Sequence, residues 1–305
     1  MDYDVVVLTE RRYVAPTKIG PYIENLLLED RLVMEALEAE GLRVGRRSWD
    51  DPHFDWSSTR FALFRTTWDY FNRFAEFSNW FERVAHQTGL INSQALIRWN
   101  MDKHYLVDLA RAGVNIPRTL FVEQGSHCSL QAAFEHAVAQ EGFQHEQFVL
   151  KPCISGGGRH TYKMDRAVIT QHEALFAELV QGEAMMLQEF QENIVSQGEY
   201  SLMVLDGQYS HAVLKRAKPG DFRVQDDFGG SVQGHGASVD QIAFAEKVVR
   251  CIPECPLYAR VDIFRDNAGQ WALAELEIFE PELWFRLDPG AAGLLASAIR
   301  RRFFP

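Results

Sequence analysis

The stretch RVDIFRDNAGQWALAELE, Arg260 to Glu277, reads as two strands joined by an Asn/Gly turn. Successive side chains on a strand point to opposite faces, so Glu275 and Glu277, two apart, share one face, and Asp262 can sit opposite them across the hairpin. Leu273, Leu276 and Phe279 mark the surroundings as apolar. Three carboxylates on one face of such a pair repel one another unless a cation lies between them. Hard oxygen ligands of this kind suit Mg²⁺ or Mn²⁺ shared with nucleotide phosphates. The competing reading is a solvated polar strand face.

Upstream, QFVLKPCISGGGRH (Gln147 to His160) brings Lys151 in on a strand that Pro152 stops, and Ser155, Gly156, Gly157 and Gly158 follow as a turn. Glycines let backbone N–H groups converge on an anion, and a lysine adds a point charge for a phosphate. No Gly-Lys-Ser/Thr follows, so this is no Walker A loop, and alone it also reads as a tight hairpin. In MLQEFQENIVSQGEYS (Met186 to Ser201) an apolar strand exits through Gln188, Glu189, Phe190 and Gln191, and Glu199 opens another strand. Backbone at such an exit can meet an adenine edge, and a carboxylate nearby can hold ribose hydroxyls. VLKRAKPGDFRVQDDFGG (Val213 to Gly230) gathers Lys215, Arg216, Lys218 and Arg223 in an acidic chain. Arg223 is a candidate for stabilising charge on a transferring phosphoryl group, with a solvated loop as the alternative.

The remaining elements alternate in type. Strands are expected at Asp4–Thr9, Leu42–Arg46 and Phe61–Arg65, with helices at Asn25–Glu40 and Phe74–Gln87. They predict a parallel α/β lobe over 1–97, followed by a central lobe over 98–190 with the glycine-rich turn. A strand-rich lobe with the carboxylates covers 191–305 and ends in a helix over Ala291–Arg302. A break is expected near Asn92–Asn100, followed by a helix capped by Asn100 or Asp102.

A net charge of −11 without a basic run argues against nucleic acid or an anionic membrane as main partner. The apolar run Val5–Leu8 is too short for a signal peptide, and no stretch nears the ~20 residues that span a bilayer. Cys128, Cys153, Cys251 and Cys255 form no paired metal motif, which fits reduced thiols in a cytoplasmic protein. A homo-oligomer is compatible with the sequence.

In order, Lys103, Lys151 with its glycines, Glu189, Glu199 and Asp262…Glu275-x-Glu277 resemble the ATP-grasp superfamily over about residues 95–285. The segments RTTWDY (Arg65–Tyr70), RWNMDKHYL (Arg98–Leu106) and GEYSL (Gly198–Leu202) narrow the resemblance to its glutathione-synthetase-like group. There it is similar to the cyclo-ligases that form D-cycloserine from O-ureidoserine. The resemblance implies a fold of two lobes clasping ATP behind an N-terminal α/β lobe. It also implies an ADP-forming carbon–nitrogen ligase with ATP and Mg²⁺ (or Mn²⁺) and a small amino-acid-like or peptide-like substrate, activated as an acyl phosphate. It places Lys103 and Lys151 on phosphates, Ser155–His160 as the loop over them, and Gln188–Gln191 at adenine. Glu199 falls at ribose, and Asp262, Glu275 and Glu277 at the metal, Glu277 standing where many relatives have Asn. Arg223 and Lys151 would be catalytic, and Arg65, Asp69, Lys215, Arg223 and Glu280 would meet the substrate. The alternatives are a phosphotransferase of the same fold and a non-catalytic nucleotide-binding module.

Overall fold

The computed structural model describes residues 1–218, 220–221 and 229–305, and Arg223 lies outside them. The described residues form three sheets. The first joins β1 (Tyr3–Thr9), β2 (Val44–Ser48), β3 (Thr59–Thr66) and β4 (Gly89–Ile91) in the order β2-β1-β3-β4, all parallel. β1 reads as an unbroken apolar run because helices cover both faces of such a sheet, and Val5 to Leu8 are fully buried. The second sheet contains β5 (Thr119–Val122), β6 (Gln147–Pro152), β7 (Tyr162–Asp165) and β8 (Met185–Glu189), ordered β5-β8-β6-β7 and antiparallel. The third contains β9 (Glu199–Leu205), β10 (Gln208–Arg216), β11 (Ser231–His235), β12 (Tyr258–Arg265) and β13 (Trp271–Glu277), ordered β11-β10-β9-β12-β13 and antiparallel.

Several boundaries differ from expectation for local reasons. The first long helix runs Pro21–Ala39, four residues earlier than Asn25, because proline at its first turn needs no partner for a missing N–H. The expected break at Asn92–Asn100 contains a helix, Gln94–Met101, capped by the Ser93 hydroxyl accepting from the Leu96 N–H. The next helix is only Tyr105–Arg111. The strand-rich last third contains a further helix, Val239–Arg250, started by a capping box between Ser238 and Gln241.

The helix Gly290–Phe303 does not pack within the third sheet alone. Ala292, Leu295 and Ile299 share one core with Val33 and Leu37 of the first long helix, Val5 and Val7 of β1, and Met203 of β9. Asn92, just after β4, donates to the Tyr258 and Ile278 carbonyls and accepts from the Leu257 N–H. The first sheet is thereby bolted to the third. No helix among the described residues is long and apolar enough to cross a membrane.

Candidate active site

A cavity of about 460 Å³ opens where the three sheets meet, within the range of small-molecule sites. Its floor is the third sheet. Register places Asp262 directly across from Glu275, Arg260 across from Glu277, and Lys215 across from Glu199. The hairpin therefore folds as its alternation predicts, with all three carboxylates lining the cavity.

Protein cations already relieve the repulsion that seemed to require a metal. Lys103 Nζ lies 2.8 Å from Glu275, Lys215 Nζ 3.0 Å from Asp262, and Arg260 2.9 Å from Asp262. Arg260 also contacts Glu277, and Lys215 contacts Glu199. Desolvation pushes the Asp262 carboxyl up, but Arg260 and Lys215 outweigh it and hold it at about 2. Desolvation is likewise outweighed at Glu275, where Lys103 and Lys151 hold the carboxyl below its usual range. At Glu277 burial wins despite Arg260, and the carboxyl is pushed up to about 7. Burial with Glu277 nearby raises Glu280 further. Three carboxylates, two of them held ionised, are a donor set that fits a hard divalent cation.

Above the floor, Lys103 Nζ also donates to the Ser155 carbonyl at 3.0 Å. Lys151 lines the same wall and is paired with no carboxylate within 4.0 Å among the described residues. Burial pushes its ammonium below the usual lysine range despite Glu275, so an anion there would be welcome. Ser155, Gly156, Gly157 and Gly158 all line the cavity. Gly157 and Gly158 have φ of 55° and 67°, and a Cβ on Gly156 would come 2.7 Å from the Phe71 ring. The turn is thus glycine-built both for its backbone angles and to let an aromatic of the first lobe seat on it. Arg159 anchors its far end through Glu183 and the Ile154 carbonyl.

Gln188, Glu189, Phe190, Gln191 and Glu199 all reach the cavity. Gln188 donates to Thr119 Oγ1, and Gln191 accepts from the Asn267 N–H. The Glu189 carboxylate accepts from the backbone N–H groups of Gln144 and His145, and so also ties the central lobe together. Lys163 Nζ sits 3.7 Å from the Phe190 ring centroid. Glu199 is engaged by Lys215, which lines the same cavity and also pairs with Asp262.

At the opposite end two expectations need correcting. Arg65 does not reach the cavity: it is buried, donates to the Pro281 carbonyl at 3.0 Å and lies over the Phe285 ring. Asp69 accepts from Trp49 Nε1 and pairs with Arg73. Their neighbours Trp68, Tyr70 and Phe71 form the wall instead, because Arg65 is turned inward at the end of β3 to clamp the segment after β13. That segment, Ile278 to Arg286, is gripped almost residue by residue. Its carbonyls take Asn92 (Ile278), Tyr258 (Phe279), Trp68 (Glu280), Arg65 (Pro281) and His211 (Leu283). Buried Glu29 accepts from the N–H groups of Phe285 and Arg286 at 2.9 and 2.8 Å. Trp284 is held there at φ 47°, a conformation that persists when its surroundings over-determine it. Its ring backs the Arg260 guanidinium at 5.1 Å and Lys215 at 5.7 Å. Glu280 lies at this end of the cavity.

Sequence reasoning missed Arg260, which sits two residues before Asp262 on the same strand face, a spacing that could have revealed it. It also missed Arg12, Tyr22 and Trp284, for which no spacing signal exists.

Three comparisons bear on this arrangement. The family profile described as "D-cycloserine synthetase DcsG, N-terminal domain" matches residues 5–92. A cycloserine biosynthesis protein DcsG from Streptomyces lavendulae is 32% identical over 284 residues, covering 90% of this chain and 93% of the relative. The crystal structure of D-cycloserine synthetase DcsG superposes with a TM-score of 0.86 at 29% identity, over 98% of this chain and 99% of that one. At 13% identity, D-alanine–D-alanine ligase from Bacillus anthracis, complexed with ATP, shares the fold with a TM-score of 0.63 over 98% and 96% of the chains.

Proposed function

The chain belongs to the DcsG family of ATP-grasp ligases, and on that footing we propose that it joins a nitrogen to a carboxyl-type carbon of a small amino-acid-like molecule. The observation that carries this reading is the charged floor, where Asp262, Glu275 and Glu277 face one cavity with Lys103 and Lys151 above them. Lys103 and Lys151 hold the nucleotide phosphates, and the glycine turn covers them. Gln188 to Gln191 receive the adenine and Glu199 the ribose. Asp262, Glu275 and Glu277 hold Mg²⁺, which when bound neutralises charge on the phosphates. Phosphoryl transfer asks mainly for such positioning and charge neutralisation.

Arg260, paired with Asp262 and Glu277, shares with Arg223 the stabilisation of negative charge on the transferring group. The end lined by Trp68, Tyr70, Trp284 and Glu280 takes the acceptor. Phe71 on the glycine turn excludes water from an acyl phosphate that would otherwise hydrolyse. DcsG forms D-cycloserine by name, so an intramolecular ring closure is the first reaction to try.

The test is phosphate release from MgATP across amino acids, dipeptides and O-ureidoserine, with mass spectrometry of each product. Substrate-dependent phosphate together with loss of water or ammonia supports the reading. A stable phosphorylated product would assign a phosphotransferase instead.

A further inference from the structure

We propose that Asp102, His104 and Cys153 form a second metal site, for a zinc-class divalent cation, behind the two phosphate lysines. The inference does not depend on the ligase reading. One ligand atom from each residue lies within 4.8 Å of the other two. His104 Nδ1 is 2.5 Å from Asp102 Oδ1, while Nε2 is 3.2 Å from Glu123 Oε1. A carboxylate on the outer ring nitrogen is the arrangement that orients metal-binding histidines. The ring is further fixed by stacking on Phe121, with centroids 4.3 Å apart.

Cys153 supplies the second observation. It is 1% exposed, and its thiol makes no hydrogen bond to any described residue, although it faces the imidazole and carboxylate. The Lys103 N–H donates to the Cys153 carbonyl at 2.9 Å, which locks the two contributing segments together. Asp102 and His104 keep about a third of their side chains exposed, which leaves an entry path and a coordination position for water.

The chemistry of the set selects the ion. Sulfur, imidazole nitrogen and one carboxylate oxygen suit Zn²⁺ or Co²⁺ and not Mg²⁺, which demands oxygen. Bond lengths near 2.1 Å at a tetrahedral angle put ligand atoms about 3.4 Å apart, so the Nδ1–Oδ1 contact opens by about 1 Å. On binding, the ion takes the place of the thiol proton and of any proton held between Nδ1 and Oδ1, each leaving to solvent, while Nε2 keeps its contact with Glu123.

The experiment uses the full chain, stripped with a chelator and titrated with Co²⁺. With excess Mg²⁺ present to fill the carboxylate floor, one equivalent of Co²⁺ should give a near-ultraviolet thiolate-to-Co²⁺ charge-transfer band that Zn²⁺ abolishes. Cys153→Ser should remove the band, His104→Gln should weaken binding at least tenfold, and Cys255→Ser should change nothing. Absence of the band, or its survival in Cys153→Ser, overturns the site. Should Cys153→Ser fail to fold, His104→Gln and Asp102→Asn decide, and unchanged Co²⁺ affinity in both overturns it.

Discussion

The two ends of the cavity are built by opposite means. On the floor, strands β10, β12 and β13 present charged side chains that neutralise one another, Asp262 with Arg260 and Lys215, while Lys103 reaches Glu275 from above. At the other end, Arg65 and Glu29 turn away from the cavity and, with Trp68 and His211, hold backbone groups of Ile278 to Arg286, so that aromatic rings and Glu280 line the space. The floor should thus be sensitive to charge and tolerant in its backbone. The acceptor end should be sensitive to anything that loosens its backbone, and changes there should act through substrate affinity rather than through the phosphoryl step.

The sharpest way to break that comparison is Asp262→Asn. It keeps the shape and removes the charge, and substrate-dependent phosphate release should fall about 10²–10³-fold with circular dichroism unchanged. A near-normal rate would strip the floor of its assigned chemistry. Glu29→Ala attacks the other end. Losing a buried carboxylate that holds two N–H groups and Arg286 should cost about 3 kcal/mol in a denaturant titration. The milder Glu29→Gln should raise the acceptor KM while nucleotide affinity holds. If nucleotide affinity moves as much, the two ends are not separate devices. Lys151→Ala should weaken nucleotide binding about 10–100-fold in a calorimetric titration, the range for one lost charge-assisted contact.

The smallest effect concerns pH. Burial pushes His211 below its ordinary value of 6.5 while its Nε2 holds the Leu283 carbonyl. The unfolded chain then binds the proton more readily than the folded one. The stability this histidine supports is complete above pH 6.5 and is lost as pH falls from there through its lowered folded value. Melting temperature should drop over that window and drop less in His211→Gln. An identical slope in the variant would remove His211 from the account.

How far the sequence could be read follows the same division. Strands repeat every second residue, so Glu275, Glu277 and, across the turn, Asp262 stand out in the linear chain, and Lys151 stands out by the glycines after it, whereas Lys103, on no strand, came only with the family resemblance. The other end is specified by which backbone carbonyl meets which side chain far along the chain, as in Arg65 with Pro281, 216 residues apart, and Trp68 with Glu280, 212 apart. No local pattern carries that, and the charges of Arg65 and Asp69 suggested ligand contact where they serve as clamps. The helices at Gln94 and Val239 were legible in principle from Ser93 and from the Ser238–Gln241 box. They were obscured by the polar residues around them. Arg260 was hidden by attention to acids alone.

The core shared by the helix Pro21–Ala39 and the helix Gly290–Phe303 has a consequence for biosynthesis. A ribosome working at ~5–20 residues per second completes the second helix roughly 10–50 s after the first. For most of that interval β1 to β4 have been made, yet Val33 and Leu37 lack the helix that completes their core. The helix Gly290–Phe303 therefore acts as a late staple on a lobe whose other elements precede it in the chain.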